Sequence, residues 1–334
     1  MKPGNCEGSQ RKERRMKDPL VIIAGPTAVG KSESAIELAL RIGGEVISAD
    51  SMQVYRGMDI GTAKIMPEEM RGVPHHLIDI LDPSEPFDVT IFRSNAKEAV
   101  RDIVTRGHIP ILTGGTGFYI QALLYDIDFT EDAQDPAVRR KYEDLGARIG
   151  SEELHRLLKE RDPEAAEAIP AGNRKRVIRA LEYYEVTGEK ISVHNRRMRE
   201  REAAYNCAFF VLTDERELLY RRINERVTRM IEAGLVDEVK ALRSQGCRRG
   251  MVSMQGIGYK EILDHLDGLC TLEEAADRIR LESRHFAKRQ LTWFRRERDV
   301  IWIDRQMYPS TDRITDYMIR ILKERNIIFE SDGQ

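Results

Sequence analysis

A loop suited to holding phosphate lies near the start of the chain. Residues 25–32 read GPTAVGKS, between the apolar run LVIIA and the helical pattern SAIELAL. They fit the P-loop consensus G-x-x-x-x-G-K-[ST], whose backbone N–H groups converge on phosphate oxygens at a helix N-terminus. Lys31 adds positive charge, and the hydroxyl of Ser32 is a suitable ligand for Mg²⁺. The motif predicts a phosphate site built from Gly25, Pro26, Thr27, Ala28, Val29, Gly30, Lys31 and Ser32.

A catalytic carboxylate is predicted at Asp50, which directly follows the second apolar run, EVISA. The carboxyl ends of parallel strands share one edge of a sheet, so Asp50 is expected to face the P-loop, although a solvated strand-end aspartate would look the same. The strand IPILT runs into Gly114-Gly115, and we find no strand with a clear Walker B aspartate and no Asn-Lys-x-Asp motif. The loop is therefore expected to hold a diphosphate that need not belong to a nucleoside triphosphate.

The elements that position these groups alternate between strand and helix. Short β-branched runs predict strands at 20–24, 45–49, 77–80, 109–113, 207–212 and 300–303, with helices between the early ones. This order predicts an α/β fold, a P-loop NTPase-like core whose parallel sheet is flanked by helices. One long amphipathic helix is expected through residues 218–239, and a basic helix over 271–296.

The alternation of strands and helices stops in the middle of the chain. Residues 126–200 contain helical patterns broken by Asp-Pro and Ile-Pro steps, which predicts a helical insertion domain. The catalytic core is then expected over 18–125 and 201–320, the latter including a C-terminal helical part. Residues 1–17 lack periodicity and are predicted to be disordered, and Met16 is a candidate translation start.

Bulk composition restricts the class of protein. The chain has 334 residues, is 41% hydrophobic and carries a net charge of −2, which fits a globular protein of about two domains. No apolar stretch reaches the length needed to cross a bilayer, and the N-terminus lacks an apolar secretion signal, so a cytoplasmic protein is expected. The four cysteines show no zinc-binding or CxxC spacing, and we predict that they are reduced.

Basic residues are concentrated in two segments despite the net charge. Residues 171–201 contain nine Lys or Arg against four Glu, and the segment RHFAKRQLTWFRRER combines six basic residues with three aromatic ones. Such segments are typical of surfaces that grip nucleic-acid phosphates. A solvated charged face, with the aromatic residues in the core, is the alternative.

Six motifs in order resemble the bacterial tRNA dimethylallyltransferases, which are tRNA prenyltransferases. They are GPTAVGKS, ISADSMQVYRGMDIGTAK, VPHHLIDILDP, ILTGGTGFYIQALL, SMQGIGYKE and AKRQLTWFRR, and the resemblance spans about residues 18–305. It implies transfer of a dimethylallyl group from its diphosphate to the exocyclic N6 of the adenosine 3′ to the anticodon. The P-loop would then hold the diphosphate leaving group, with Mg²⁺ on Ser32, and no ATP hydrolysis would be needed.

The resemblance also implies roles for individual residues. Asp50 matches the family's base and Thr116 its threonine near the bridging oxygen, while Arg222 is the first match for a diphosphate-binding arginine and Arg226 the second. We expect catalysis by Asp50, Thr116 and Arg222, and a further diphosphate contact from Arg226. The tRNA contacts expected on this basis are Asp50, Ser51, Met52, Gln53, Thr116, Arg139, Lys175, Arg176, Arg179, Gln255, Lys260 and Arg289.

Three other functions stay open at this point. A small-molecule P-loop kinase would explain the loop but not the residues after Asp50 or the basic insertion. Prenyl transfer to a free adenine nucleotide would keep the chemistry and change the acceptor. An RNA-binding module without catalysis would leave the P-loop unused.

The partners that the family resemblance implies are dimethylallyl diphosphate and the anticodon stem-loop of tRNA. The protein is expected to be monomeric.

Overall fold

The protein is described here from a computed structural model, which covers residues 17–127 and 135–329. The predicted extension 1–17 lies outside the described residues except for Lys17, as does the candidate start at Met16. The strands are β1 (Pro19–Ala24), β2 (Gly44–Ser48), β3 (His75–His76), β4 (Ile109–Gly114), β5 (Asn206–Thr213) and β6 (Val300–Asp304).

Helices of the first half are α1 (Lys31–Ile42), α2 (Val89–Thr105), α3 (Gly117–Leu124), α4 (Pro136–Ile149), α5 (Ser151–Arg161), α6 (Pro163–Ala168), α7 (Arg174–Thr187) and α8 (Ile191–Glu200). After β5 follow α9 (Arg216–Glu232), α10 (Leu235–Ser244), α11 (Tyr259–Leu266), α12 (Leu272–Phe294) and α13 (Thr311–Glu324). Short 3₁₀ turns occur at Ser253–Gln255 and Arg305–Met307. Among the described residues, no helix combines the length and the apolar composition that a membrane span requires.

The strands form one parallel sheet in the order β3-β2-β4-β1-β5-β6. In the central strand β1, Leu20 and Ile22 face one apolar cluster while Val21 and Ile23 face another, and all four are fully buried. Both faces of the sheet are therefore covered, as expected for a parallel sheet, and the predicted α/β class is confirmed.

Two predicted elements are wrong in detail. Residues 77–80 do not form a strand, because Leu77 and Asp79 have left-handed backbone with φ of 61° and 54°, and β3 lies just before them at His75–His76. The helix expected through 218–239 is split into α9 and α10 at Gly234, whose φ of 100° ends the helical hydrogen bonding. The apolar period continues across the break, which is why the sequence did not reveal it.

Residues 135–200 consist of five helices with their own apolar cluster, which includes Tyr142, Leu154, Leu158 and Val177. The chain leaves the sheet domain after α3 and returns beside the same place, because the N–H of Ala204 donates to the carbonyl of Leu124 at 2.8 Å. At the other end of the chain, α13 runs to Glu324 and Ile327 is buried in the main core. The packed sheet domain therefore continues past residue 320, where the core was expected to end.

Candidate active site

A cavity of about 1000 Å³ lies at the carboxyl edge of the sheet. The P-loop, the segment after β2, the end of β4 and two helices, α9 and α12, surround it. Among the lining residues are Thr27, Ala28, Gly30, Lys31, Ser32, Asp50, Gln53, Gly114, Gly115, Arg226, Arg229, Glu238, Phe286 and Gln290. Parallel topology places the P-loop and the residue that follows β2 at one edge, and Asp50 and Lys31 accordingly share this cavity.

The P-loop has the backbone that its glycines predict. Gly25 has φ of 148° and Gly30 φ of 93°, and a Cβ on Gly25 would lie 2.6 Å from the carbonyl oxygen of Leu212. Gly30 precedes α1 and provides no side-chain cap, so the N–H groups of the first helical turn are open towards the cavity. Ala28 and Gly30 line the cavity, and the loop is shaped to bind an anion.

Two cations stand at the P-loop. Lys31 Nζ donates to the carbonyl oxygen of Pro26 at 2.7 Å, and Arg226 Nη1 donates to Oγ1 of Thr27 at 3.2 Å. Burial, and then the charge of Arg226, lower the pKa of Lys31 to about 7, against an opposing effect of Asp50. Burial and neighbouring Arg229 lower the pKa of Arg226 in the same way. The lowered pKa values mean that the positive charge of each side chain is poorly stabilised in the empty site, and a bound anion would stabilise it.

Asp50 is a half-buried carboxylate that lines the same cavity as these cations. Burial raises its pKa, while the N–H groups of Met52 and Gln53, which donate to Oδ1 at 2.8 and 3.3 Å, act in the opposite direction. These two bonds occupy only Oδ1, and among the described residues no hydrogen bond is made to Oδ2. Asp50 therefore has one oxygen free to accept a proton.

Gln53 is held beside Asp50 by the loop 59–63, which lies within the motif ISADSMQVYRGMDIGTAK. Its Nε2 donates to the carbonyls of Thr62 and Ala63 at 3.4 and 3.3 Å. That loop is fixed in turn by Glu238 of α10, which accepts the N–H groups of residues 59, 60 and 61 at 2.9, 2.7 and 3.0 Å. The hydroxyl of Tyr259 donates to the same carboxylate at 2.7 Å. A lone glutamate on an amphipathic helix gave no signal in the sequence.

Gln290 and Arg305 are two more residues at the loop that the sequence did not single out. Gln290 Oε1 accepts the N–H of Thr27 at 2.9 Å, and Arg305 Nη1 donates to the carbonyl of Val29 at 2.7 Å. A Cβ on Gly30 would lie 1.8 Å from that guanidinium nitrogen. The only available signal was that Gln290 stands inside the motif AKRQLTWFRR.

Of the two arginines considered for diphosphate binding, the structure places Arg226, and not the preferred Arg222, beside the P-loop. Arg222 Nη1 donates to Oδ2 of Asp214 at 2.5 Å and does not line the cavity, whereas Arg226, one helical turn later, does. The spacing places both on one stripe of α9 but does not say which turn lies beside the P-loop. A strand-end aspartate does exist, because β5 runs to Thr213 and Asp214 follows. Its carboxylate is taken by Arg222 and by Gln306 Nε2 at 2.5 Å, so it does not act at the P-loop.

Thr116 lies beside the cavity, one residue after Gly115, at the start of α3. Its N–H donates to the carbonyl of Ala49 at 3.4 Å, so the loop is tied to the residue before Asp50. Trp293 packs against the next turn: a Cβ on Gly117 would lie 2.2 Å from its Cδ1. The aromatic residues of α12 thus lie in different environments. Phe294 is fully buried in the core, whereas Phe286 lines the cavity.

The residues predicted to bind tRNA fall into separate groups. Arg139 and Arg179 both face the buried Glu182, at 3.9 and 3.4 Å, while Lys175 and Arg176 at the start of α7 are exposed. Gln255 and Lys260 line a second cavity of about 440 Å³ between α11 and α12. Arg289 is exposed, with its guanidinium 5.8 Å from the ring centre of Phe286. Asp50 and Gln53 line the main cavity, and Ser51 and Met52 between them are half-buried.

The fold and the site define the class of P-loop α/β proteins, with a site suited to a phosphorylated ligand at the carboxyl edge of the parallel sheet. The family model described as IPP transferase matches residues 53–297, and the chain belongs to this family.

Relatives of known name agree with this assignment. The tRNA dimethylallyltransferase of Lachnoclostridium phytofermentans is 56% identical over 310 residues, which are 93% of this chain and 99% of the relative. That of Bacillus licheniformis is 51% identical, over 87% of this chain and 92% of the relative.

Solved structures agree as well. The tRNA isopentenylpyrophosphate transferase of Bacillus halodurans matches with a TM-score of 0.70 and 46% identity, over 93% of this chain and 98% of that one. A eukaryotic dimethylallyltransferase, captured acting on tRNA, matches with a TM-score of 0.77 and 29% identity, over 94% of this chain and 81% of that one. The resemblance stated from the six motifs is thereby confirmed.

Proposed function

We propose that this protein transfers a dimethylallyl group from dimethylallyl diphosphate to N6 of the adenosine that follows the anticodon of tRNA. The observation that carries the proposal is the single cavity that joins a P-loop with Lys31 and Arg226 to the carboxylate of Asp50. Transfer of the dimethylallyl carbon requires cations beside the departing diphosphate and a base beside the attacking amine, on opposite sides of that carbon. The relatives named tRNA dimethylallyltransferase support the same reaction.

The P-loop side favours departure of diphosphate. Breaking the bond between C1 of the dimethylallyl group and the bridging oxygen places negative charge on the diphosphate. The first-turn N–H groups of α1, the ammonium of Lys31 and the guanidinium of Arg226, which stand together at the P-loop, would stabilise that charge. The N–H of Thr27 is not available to the ligand, because it donates to Gln290.

Ser32 provides an oxygen ligand of the kind that Mg²⁺ prefers. The Ser32 hydroxyl is exposed at the start of α1, lines the cavity and makes no hydrogen bond within the described residues. This position fits a magnesium ion that would be held by Ser32 and by diphosphate oxygens. When bound, such an ion would neutralise charge on the leaving group.

Asp50 would serve the acceptor side. The new bond forms between N6 and C1 as the carbon–oxygen bond breaks, and N6 must lose a proton. The free Oδ2 of Asp50 would accept it, and burial raises the pKa of this carboxylate, which makes it a stronger base than an exposed aspartate. In this proposal Thr116, whose N–H donates to Ala49 next to Asp50, would act at the bridging oxygen, and Gln53, whose N–H donates to Asp50, at the adenine edge.

The tRNA would lie across the cavity mouth and the insertion domain over 126–200. Lys175 and Arg176 are exposed at the start of α7, with no ion-pair partner within the described residues, and are suited to phosphate. Arg289 of α12 is exposed, and its guanidinium lies 5.8 Å from the ring centre of Phe286, a cavity-lining residue. Because the target adenosine lies in a loop, it can be turned into the cavity at modest cost. A tRNA substrate implies a cytoplasmic protein, and every proposed reacting group comes from one chain, which suits a monomer.

The test is transfer of labelled dimethylallyl from its diphosphate, with Mg²⁺ and without ATP, to unmodified tRNA or to AMP. Label in tRNA alone is expected. Label in AMP alone would move the acceptor to free nucleotides, and label in neither would refute the proposal.

A matched variant separates the base from the fold in the same assay. Asp50→Asn is expected to lower turnover by about a hundredfold or more, because general-base catalysis contributes factors of this size, while diphosphate affinity stays within a few-fold. Turnover within a few-fold of wild type would show that Asp50 is not the base.

A further inference from the structure

One side chain joins two neighbouring loops at the cavity, which follow the paired strands β1 and β4. Gln290 of α12 is 5% exposed and lies between the P-loop and the loop after β4. Its Oε1 accepts the N–H of Thr27 at 2.9 Å, and its Nε2 donates to the carbonyl of Gly115 at 3.0 Å. Both bonds come from one rigid amide group.

The chemistry of the amide is specific to this task. Thr27 offers a donor and Gly115 an acceptor, and a side-chain amide presents the matching acceptor and donor side by side on one planar group at every pH. The approach to the second loop is close, since a Cβ on Gly115 would lie 1.9 Å from Gln290 Nε2. A movement of either loop therefore shifts the Gln290 amide and, through its second hydrogen bond, the other loop.

The same contacts reach both substrates of the proposed reaction. Thr27 is held twice, at its N–H by Gln290 and at its hydroxyl by Arg226, the cation placed at the diphosphate. Gly115 immediately precedes Thr116, whose N–H donates to the carbonyl of Ala49, next to Asp50. The neighbouring residue on α12, Arg289, is exposed on the side proposed for tRNA.

We propose that Gln290 is a positioning residue that couples the occupied P-loop to the loop 114–117, so that diphosphate and tRNA strengthen each other's binding. The proposal rests on the proposed function, because it requires both ligands to bind this cavity. Gln290 itself needs no contact with the reacting atoms. Its effect is a coupling between sites, which must be reciprocal.

The experiment measures binding without turnover. The Kd of inorganic diphosphate, with Mg²⁺ at fixed pH, is determined in the absence and the presence of saturating unmodified tRNA, and the Kd of tRNA with and without diphosphate. For each ligand, the coupling ratio is its Kd without the other ligand divided by its Kd with the other ligand present. In wild type this ratio is expected to be about fivefold or more and equal for both ligands, since couplings of this kind commonly fall between about five- and 150-fold. In Gln290→Met, which keeps the length but loses both bonds, the ratio is expected to fall below about twofold.

Controls separate coupling from stability. Thr292→Ala, on an exposed position of the same helix, is expected to keep the wild-type ratio. If Gln290→Met does not fold, Gln290→Glu decides, because it retains the acceptor for Thr27 and loses the donor for Gly115. Hydrogen exchange gives a second readout: diphosphate is expected to slow exchange at residues 114–117 in wild type and not in the Gln290 variants.

The outcomes distinguish this proposal from the function itself. Wild-type protein that binds no tRNA would refute the proposed function. Binding of both ligands without coupling in wild type, or an unchanged ratio in the Gln290 variants, would refute only the role of Gln290.

Discussion

Binding of dimethylallyl diphosphate is predicted to take up a proton at Lys31. In the free protein, burial and Arg226 lower the pKa of Lys31 to about 7, so at pH 8 about nine-tenths of the molecules carry a neutral amine. The bound diphosphate restores the charge and raises the pKa back towards the ordinary value of 10.5. Uptake is therefore expected to be about half a proton at pH 7 and about 0.9 at pH 8.

The sign and size of the pH effect follow from these values. Binding favours the protonated amine, so affinity is fully present below pH 7 and falls as the pH rises above it. Between pH 7 and 9 the Kd is expected to rise about fiftyfold, equivalent to about 2.3 kcal/mol. The terminal phosphate of the ligand loses its last proton near pH 6, so it adds little above pH 7.

The assay is titration calorimetry without tRNA, in buffers of different ionisation enthalpy. The dependence of the observed enthalpy on the buffer gives the number of protons taken up. Lys31→Arg keeps the charge at all these pH values and is expected to remove most of the uptake. Wild-type uptake below about 0.2 proton at pH 8 would refute the reasoning, since it would mean that Lys31 is already charged in the free protein.

Three further outcomes are expected. Arg226→Ala should weaken diphosphate binding by about ten- to a hundredfold, as loss of a charged hydrogen bond implies, while Arg222→Ala should lower the melting temperature and leave diphosphate affinity within a few-fold. Equal losses of affinity would mean that both arginines reach the ligand. Gly117→Ala should cost about 1–3 kcal/mol in denaturant unfolding because its Cβ would overlap an indole ring, whereas Gly250→Ala, with open space around it, should change stability by less than about 0.5 kcal/mol. Arg176→Ala should reduce the slope of log K for tRNA against log salt by about one, and an unchanged slope would show that this residue makes no phosphate contact.

Much of the fold was open to prediction because its signals are local. The β-branched runs at 20–24 and 109–113 are buried on both faces, so they are apolar throughout and stand out in the sequence. The P-loop is likewise a contiguous stretch whose glycines and lysine are fixed by the shape of phosphate. Strand-end position then sufficed to bring Asp50 to the same cavity, since all parallel strands end at one edge.

Residues other than glycine that adopt the left-handed backbone conformation could not be predicted from the sequence. Leu77 and Asp79 interrupt an apolar run that reads as a strand, and the conformation is imposed by surroundings that the run itself does not encode. At Gly234 the apolar period passes through a break, because α9 and α10 pack on the same core. Periodicity reports which face is buried and does not report where the helix axis turns.

The identity of the residues around the cavity was decided by the tertiary structure. Arg222 and Arg226 are equivalent in spacing, and only the packing of α9 beside the sheet places the second at Thr27 and leaves the first to Asp214. Gln290 is 263 residues from Thr27 in the chain, and its role depends on a helix end reaching two loops at once. By itself the sequence determined the phosphate loop, the parallel sheet and the family motifs, since these depend on neighbouring residues. The groups that position the substrates come from distant segments, and only folding brings their hydrogen-bonding atoms within 3 Å of each other.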